Sequence, residues 1–500
     1  MADHIISIGN AKENLLSCAL FLTENINSVE ARTAAMDEVV SHIVGQGDVD
    51  LAAELADSLN DPFARNRLLT KIISKCVELD DEEYAFQLVD AIDEYGIQSR
   101  AKEVIALQMA KKGEFENALK IAENLEYSSD AFAGIATYQT QNGFENEALE
   151  TLEKIDFHGS KVKALIAIAV YYREQDQTEK TIEFLEKAES DAGEIEFRQE
   201  KISYLLEIAI QYIRSEHKEK AIETLTDTRE IIEKMDGIEK DSLFVNVAVG
   251  YLKAGNLELA DRTLDLVLDK TQISNCLLAY SQDFADSGDV EEAFSSIEES
   301  YAILKSQSET EIRDTNERYR LFAMIAAQFA KLGKFERAIE TAEENIDTQQ
   351  KNLALSQIAQ IAVMQENDKY ARQALQAIYE ESSKLNALVA LSDVKTNLNK
   401  KDEALEFLNE ASYLVDTVEQ FIVRTEVEND LAARFYQFGE TEKARELASK
   451  SLRTIEEIKG DENRSAALAK LSDIYNKFDF TVTAEDKSIL DDLVKTSEFS

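Results

Sequence analysis

The chain has 500 residues, of which 44% are hydrophobic and 30% charged, and its formal net charge is -44. That much apolar material excludes a disordered chain. The acidic balance argues against nucleic acid and anionic membrane surfaces, because both require basic patches. The only proline, Pro62, favours helix after helix joined by short turns, since proline damages helix interiors. The composition therefore predicts an all-α protein.

The first residues do not resemble a targeting segment. They lack a basic region, and Lys12 and Glu13 interrupt their apolar run. No stretch approaches the roughly 18 uninterrupted apolar residues of a membrane span. The three cysteines Cys18, Cys76 and Cys276 are widely spaced and form no CxxC pair, so neither a disulfide framework nor a zinc site is predicted. We expect a cytoplasmic protein without membrane insertion.

A repeated phrase organises the chain. The segment GEFENALKIAEN at Gly113 returns as GKFERAIETAEEN at Gly333. Twelve copies align on one small residue after a turn: Ala52, Ala85, Ala118, Ala148, Thr181, Ala221, Ala260, Ala293, Ala338, Ala371, Ala404 and Ala444. Their intervals run from 30 to 45 residues and 33 is the commonest, which is typical of a solenoid.

The residue five positions before each aligned residue is predicted to make the turn. It is glycine in seven copies, and the others have Asp80, Asp176, Glu216, Glu366 and Asn399. Glycine adopts a positive φ at little cost, and Asn or Asp are the next most tolerant residues. Each copy therefore predicts two helices joined by a tight turn, of which the turns at Glu216 and Glu366 fit least well.

Apolar residues before and after each turn have the spacing of one helix face. One copy runs through Leu165, Ile168, Ala169, Tyr172, Asp176, Thr181, Leu185 and Ala188. This order resembles the tetratricopeptide repeat (TPR) family, although the early tryptophan and the closing proline of that family are missing. The resemblance implies a right-handed superhelical α-solenoid of about twelve TPR-like helix-turn-helix repeats.

The repeats divide the chain into three predicted parts. Residues 1–31 are expected to be N-terminal capping helices, and residues 32–460 the TPR-like repeat array. Residues 461–500 are expected to form a C-terminal capping helix followed by a polar tail.

The resemblance implies a binding groove on the concave wall, which the first helix of each repeat lines. The family's groove positions carry no basic residue in this sequence, so its clamp for acidic peptide tails is not expected. They carry an apolar central strip and then amides. The predicted groove residues are Ile166, Val170, Leu206, Ile210, Val245, Val249, Gln282, Gln360, Asn386 and Asn429. An apolar helix or extended peptide would fit this groove, with the amides bonding its backbone. Alternatively, the strip is covered internally and the amides are ordinary solvated surface.

Basic residues recur near the starts of the first helices, and Lys201, Lys240, Arg424 and Arg464 are examples. They predict either a ridge for an acidic partner or exposed pairs with carboxylates on neighbouring helix ends.

No motif predicts catalysis. His4, His42, His158 and His217 lack metal-ligand spacing, and no P-loop, GxGxxG, GxSxG or HExxH occurs. We expect no cofactor, no metal and no enzymatic activity. The sequence predicts an adaptor or assembly scaffold that binds a protein or peptide. A self-associating structural or regulatory array is the alternative, and an enzyme is a distant one.

Overall fold

The computed structural model describes residues 5–308 and 310–497, which contain helices and no strand. Two short helices come first, α1 (Ile8–Ala11) and α2 (Leu15–Glu24). Thirteen consecutive helix pairs follow. The first six are α3 (Val29–Gln46) and α4 (Val49–Asp57), α5 (Pro62–Glu78) and α6 (Glu82–Asp90), α7 (Tyr95–Lys111) and α8 (Phe115–Ala122), α9 (Ser129–Gln141) and α10 (Glu145–Leu152), α11 (His158–Glu174) and α12 (Thr178–Gly193), and α13 (Arg198–Arg214) and α14 (Lys218–Glu233).

The other seven pairs complete the described chain. They are α15 (Lys240–Lys253) and α16 (Leu257–Leu264), α17 (Lys270–Asp286) and α18 (Val290–Lys305), α19 (Thr315–Lys331) and α20 (Phe335–Glu343), α21 (Thr348–Met364) and α22 (Asp368–Ala377), α23 (Glu381–Asn397) and α24 (Lys401–Leu414), α25 (Phe421–Gln437) and α26 (Thr441–Glu456), and α27 (Asp461–Lys477) and α28 (Ala484–Ser497). A 3-10 turn, Val415–Thr417, follows α24. The predicted all-α fold of paired helices is confirmed.

All twelve predicted turn residues have a positive φ, between 55° and 90°. Glu216 shows the geometry: its amide donates to the carbonyl of Ile213 (3.0 Å), and the amide of His217 donates to that of Tyr212 (2.9 Å). These are the two bonds of a Schellman helix end, which satisfy carbonyls that the last helical turn leaves unpaired. The turn prediction is therefore confirmed even where the residue is glutamate.

The aligned small residues are also where the sequence predicts them. All twelve are at most 2% exposed, so each lies at the contact between two helices. Large aromatic residues of the first helices, among them Tyr212, Tyr251, Phe329 and Phe435, fill the remaining space and are fully buried. Small residues thus let the helix axes approach, and the aromatic rings pack between pairs.

The polar tail predicted at the end of residues 461–500 is wrong over Ala484–Ser497, which forms α28. Asp479 has a φ of 53°, so α27 and α28 make a thirteenth pair. The sequence alignment missed this copy because its spacing differs. Helix α28 starts five residues after the turn residue Asp479, whereas α26 starts two residues after Gly439. Leucine and isoleucine residues such as Leu490 give α28 a buried face. Residues 498–500 lie outside the described part.

The chain divides into two compact units. Unit 1 joins Met1–Ile105 with Ile378–Ser500, and unit 2 is Ala106–Ala377. Within unit 1, α2 packs against α27 and α28, and α3 also packs against α27. Lys12 pairs with Asp491 at 2.6 Å, and His42 Nδ1 lies 2.5 Å from Asp473 Oδ2. The two segments predicted as separate caps therefore contact each other. The boundaries of the predicted array remain a prediction.

Candidate functional site

The first helices of unit 2 form one wall. In order these are α9, α11, α13, α15, α17, α19 and α21, and each packs against the next. We call their shared open face the first-helix wall. Two cavities lie on it: cavity A, about 400 Å³, crosses α13, α15 and α17, and cavity B, about 290 Å³, crosses α17, α19 and α21. Ala279 lines cavity A and Gln282 lines cavity B, so the cavities are about one helical turn apart on α17.

Cavity A has an apolar surface. Leu206, Ile210, Ile213, Val245 and Val249 line it. Ile210 is 38% exposed, although it lies in the middle of α13. The polar lining residues Ser203, Glu207, Asn246, Lys253 and Asn275 complete the cavity. Four predicted groove residues therefore meet in one concave apolar site.

Leu225 reaches cavity A from the second helix α14. It does so opposite Gly250, where a Cβ atom would stand 2.9 Å from Leu225 Cδ2. Any larger residue at position 250 would displace this leucine. The glycine thus sets how closely α14 approaches α15 and shapes the floor of the cavity.

Cavity B is lined by amides and thioethers. Gln282, Gln328, Gln357 and Gln360 line it together with Met324, Met364 and Lys331. Gln328 is buried: its Nε2 donates to the Ser281 carbonyl at 3.2 Å, and its Oε1 is not exposed. The amides of Gln282, Gln357 and Gln360 are half-buried and face the cavity. Amides offer both donors and acceptors, and flexible methionines adapt to irregular apolar groups. This surface can bond a peptide backbone and contact its side chains.

The remaining predicted groove residues do not meet in these cavities. Ile166 and Val170 lie on α11, where Ile166 is buried and Val170 half-buried. Asn386 and Asn429 belong to unit 1. Asn386 is exposed, whereas Asn429 is only 8% exposed and does not offer its amide to solvent. Cavity A thus unites Leu206, Ile210, Val245 and Val249, and cavity B unites Gln282 and Gln360.

Sequence reasoning missed several lining residues, among them Leu225, Gly250, Gln328, Met324 and Met364. One signal was present for Gly250. A glycine inside a helical pattern costs stability and often marks a close approach of another element. The other residues carry no local signal, because whether they line a cavity depends on the spacing of neighbouring helix pairs.

No protein-family description matches the sequence, and no curated protein matches it. Solved structures do resemble it. Ton1535 from Thermococcus onnurineus NA1 is 16% identical, with 71% of this chain and 98% of that chain covered and a TM-score of 0.26. The apo form of the quorum sensor NprR from B. thuringiensis is 15% identical, with 65% and 97% covered and a TM-score of 0.26. A Rap protein complexed with Competence and Sporulation Factor is 15% identical, with 72% and 98% covered and a TM-score of 0.25.

These likenesses are too distant to indicate a function, and the thirteen helix pairs themselves decide the fold. The fold is an array of TPR-like helix pairs. Its twelve aligned copies combine a first helix with apolar and aromatic residues, a left-handed turn and a buried small residue in the second helix.

The basic residues at the starts of the first helices have a structural role in this TPR-like array. Lys201 donates to the carbonyl of Gly193, and Lys240 donates to that of Glu233 at 2.8 Å. Arg464 Nη2 likewise donates to the Glu456 carbonyl at 3.1 Å. Each of these acceptors lies at the C-terminal end of the preceding second helix, whose last carbonyls need donors. Arg464 also pairs with Asp461 at 3.4 Å, whereas main-chain carbonyls account for Lys201 and Lys240.

The thiols of the TPR-like array are not poised for chemistry. Cys18, Cys76 and Cys276 are all buried. Burial raises the pKa of Cys18 and Cys276 to about 12 and that of Cys76 to about 11. At neutral pH these groups stay protonated, and the thiolate is the reactive form. Across residues 5–308 and 310–497, no group of His, Cys, Asp and Glu could hold a metal ion, and no helix is long and apolar enough to cross a bilayer.

Proposed function

We propose that this TPR-like protein is an interaction scaffold whose first-helix wall in unit 2 holds an apolar segment of a partner protein. Cavity A carries the proposal. It is about 400 Å³ in volume, and five aliphatic side chains from two first helices line it. Ile210 is 38% exposed there beside Leu206, Ile213 and Val249, and contiguous apolar surface of this kind often marks a binding site.

The two cavities have complementary chemistry for one polypeptide. Burying an aliphatic side chain of the partner in cavity A contributes about 1.5–3 kcal/mol. The glutamine amides of cavity B can bond the backbone of the same segment, as backbone-reading grooves do. One segment crossing α17 would use both sites.

The terminal helices of unit 1 do not favour self-association by end-to-end stacking of copies. Repeat arrays associate through open terminal repeats when those repeats expose apolar faces. Here α2 and α27 cover each other, and Leu20, Phe21 and Leu468 are at most 1% exposed. This arrangement supports a partner of a different kind over a second copy stacked at the ends.

Selection from a library of displayed random peptides tests the proposal. Peptides of about twelve residues are long enough in extended form to reach both cavities. Binding of the selected peptides is then measured by fluorescence anisotropy for the wild-type chain and for Ile210→Asp with Val249→Asp. Two charges in cavity A would prevent favourable burial of the peptide's apolar side chain, so we expect at least about tenfold weaker binding.

A charge control and a second cavity variant complete this experiment. Leu257→Asp with Val290→Asp places the same charges on exposed residues of α16 and α18, and binding should be unchanged. Asn246→Arg introduces a long side chain at the exposed border of cavity A without disturbing the core, and binding should fall. Far-UV circular dichroism confirms folding. Selected peptides that bind all variants equally would refute a site in cavity A.

A further inference from the structure

Unit 2 carries an exposed apolar residue in each of five consecutive turns between helix pairs. These turns connect α8–α9, α10–α11, α12–α13, α14–α15 and α16–α17. Because each first helix packs against the next, the five turns lie at the same end of successive pairs. We call this row the inter-pair edge. Its apolar residues are Tyr127, Phe157, Phe197, Ile238 and Leu268, and their exposure runs from 54% to 83%.

The inter-pair edge is also acidic. Each turn contains two acidic residues, and the five turns together contain two basic residues, Lys154 and Lys234. In every turn one acidic residue is the direct chain neighbour of the exposed apolar residue. The neighbouring pairs are Glu126 and Tyr127, Asp156 and Phe157, Glu196 and Phe197, Ile238 and Glu239, and Leu268 and Asp269.

The fold explains only part of this pattern. Asp269 caps α17, accepting from the Thr271 amide at 2.8 Å, and pairs with Arg313 at 3.2 Å. Glu123 pairs with Lys154 at 2.6 Å. Glu153 pairs with Lys161, and Glu239 accepts a hydrogen bond from Gln199. The other six acidic residues of these turns form neither an ion pair nor a side-chain hydrogen bond with any described residue: Glu126, Asp156, Glu194, Glu196, Asp236 and Asp265. An apolar residue before a helix can serve as a staple, but a staple packs against the helix and these side chains are more than half exposed.

A cavity of about 510 Å³ lies in the middle of the inter-pair edge. It lies between the turn that carries Phe197 and the end of α14, which leads into the turn of Ile238. Ile195 and Ile231 line it, together with Glu194 and Glu196. Arg198, Lys201 and Lys234 also border this cavity, and Lys201 is engaged by the Gly193 carbonyl. The edge therefore offers an indentation besides its protruding side chains, and two isoleucines and five charged residues line that indentation.

We infer that the inter-pair edge binds a basic amphipathic segment of another protein. Its apolar residues meet apolar side chains, and its unpaired carboxylates meet Lys and Arg of the partner. Packed helices lie about 8–10 Å apart, so the turns recur at that interval. A helix rises 1.5 Å per residue, so apolar residues seven positions apart lie about 10.5 Å apart and match it. A second copy of this edge would bring acidic turns against acidic turns.

Fluorescence anisotropy with a designed probe tests the inference on the full chain. The probe is a labelled helical peptide of about three heptads with Leu at the a and d positions and Lys elsewhere. The comparison peptide has Ser in place of every Leu and the same charge. The ratio of the two affinities isolates the apolar contribution from the attraction that any polycation feels for an acidic protein.

The decisive variant is Phe197→Ser with Ile238→Ser and Leu268→Ser, which leaves the formal charge of -44 unchanged. Its matched control is Phe144→Ser with Leu257→Ser and Val290→Ser. Those residues are also exposed but adjoin the turns within pairs, at the opposite end.

We expect the wild-type chain and the control to prefer the Leu-containing peptide by at least about tenfold, and the edge variant to lose that preference. Equal affinity of the wild-type chain for both peptides would overturn the inference. So would an undiminished preference in the edge variant, whereas a change in the Ile210 and Val249 variant alone would point to cavity A instead.

Discussion

The turn at Glu216 predicts that a glycine there stabilises the array. Glu216 has a φ of 63°, and its side chain is exposed and makes no hydrogen bond or ion pair with the described residues. A left-handed conformation costs an L-residue about 1–2 kcal/mol. Glycine avoids that cost but loses about 0.5–1 kcal/mol more conformational entropy on folding. The expected net gain for Glu216→Gly is therefore about 0.5–1 kcal/mol.

Native-state hydrogen exchange is the assay, because a long repeat array does not unfold in a single two-state step. The amides of α13 and α14 report on the turn, since the His217 amide and the Tyr212 carbonyl join across it at 2.9 Å. A gain of 0.5–1 kcal/mol slows their exchange by roughly two- to fivefold.

Two controls isolate the backbone effect. Glu216→Ala removes the charge and keeps the Cβ atom, so exchange should stay close to wild type. Gly255→Ala makes the reverse change at a turn with a φ of 84°, where the added Cβ meets only Lys218 Nζ at 3.9 Å. It should accelerate exchange in α15 and α16 by a similar factor. If Glu216→Ala and Glu216→Gly slowed exchange equally, charge and not backbone strain would limit this turn.

Two further predictions concern buried groups. Gly250→Ala should speed hydrogen exchange in α14 and α15, because its Cβ would stand 2.9 Å from Leu225 Cδ2 and overpacking costs about 1–3 kcal/mol, whereas Gly193→Ala, with nothing within 4 Å, should not speed it in α12. Burial raises the pKa of Glu428 from 4.5 to about 7, although Lys450 Nζ lies 3.8 Å away. Folding therefore favours the protonated carboxyl, and the stability of the wild-type chain relative to Glu428→Gln should fall as the pH rises from 4.5 to about 7 and then level off. The ratio of hydrogen-exchange rates in α25 and α26 between the two chains, measured at each pH across that range, checks this sign, and a constant ratio would contradict it.

The repeat itself was predictable because its chemistry is local. A turn residue, a small residue five positions later and an aromatic residue four positions earlier lie within ten residues of each other, as in Tyr212, Glu216 and Ala221. The same pattern could not tell Ile166 from Ile210. Both lie on the wall face of a first helix, yet one is 8% and the other 38% exposed. That difference depends on how neighbouring pairs pack, which no single repeat encodes.

Contacts between segments that are distant in the sequence could not be predicted either. His42 and Asp473 are 431 positions apart, and nothing in either neighbourhood indicates the other. The basic residues of the first helices illustrate a third limit. In the sequence, Lys240 is expected to form a surface ion pair. In the structure its ammonium group donates to the Glu233 carbonyl instead. A pattern of side chains cannot predict a bond to a main-chain acceptor.

The contact of α2 with α27 affects the order in which the chain can fold during synthesis. A repeat that contacts only its neighbours can fold as soon as the next one emerges. Helix α2 ends at Glu24 and its partner α27 begins at Asp461, so α2 is synthesised long before α27. At about 5–20 residues per second the ribosome needs roughly 20 to 90 seconds to cover that interval. During this time Leu20 and Phe21, which are buried in the finished protein, lack part of their cover, so we expect newly made α2 to be prone to aggregation until α27 is synthesised.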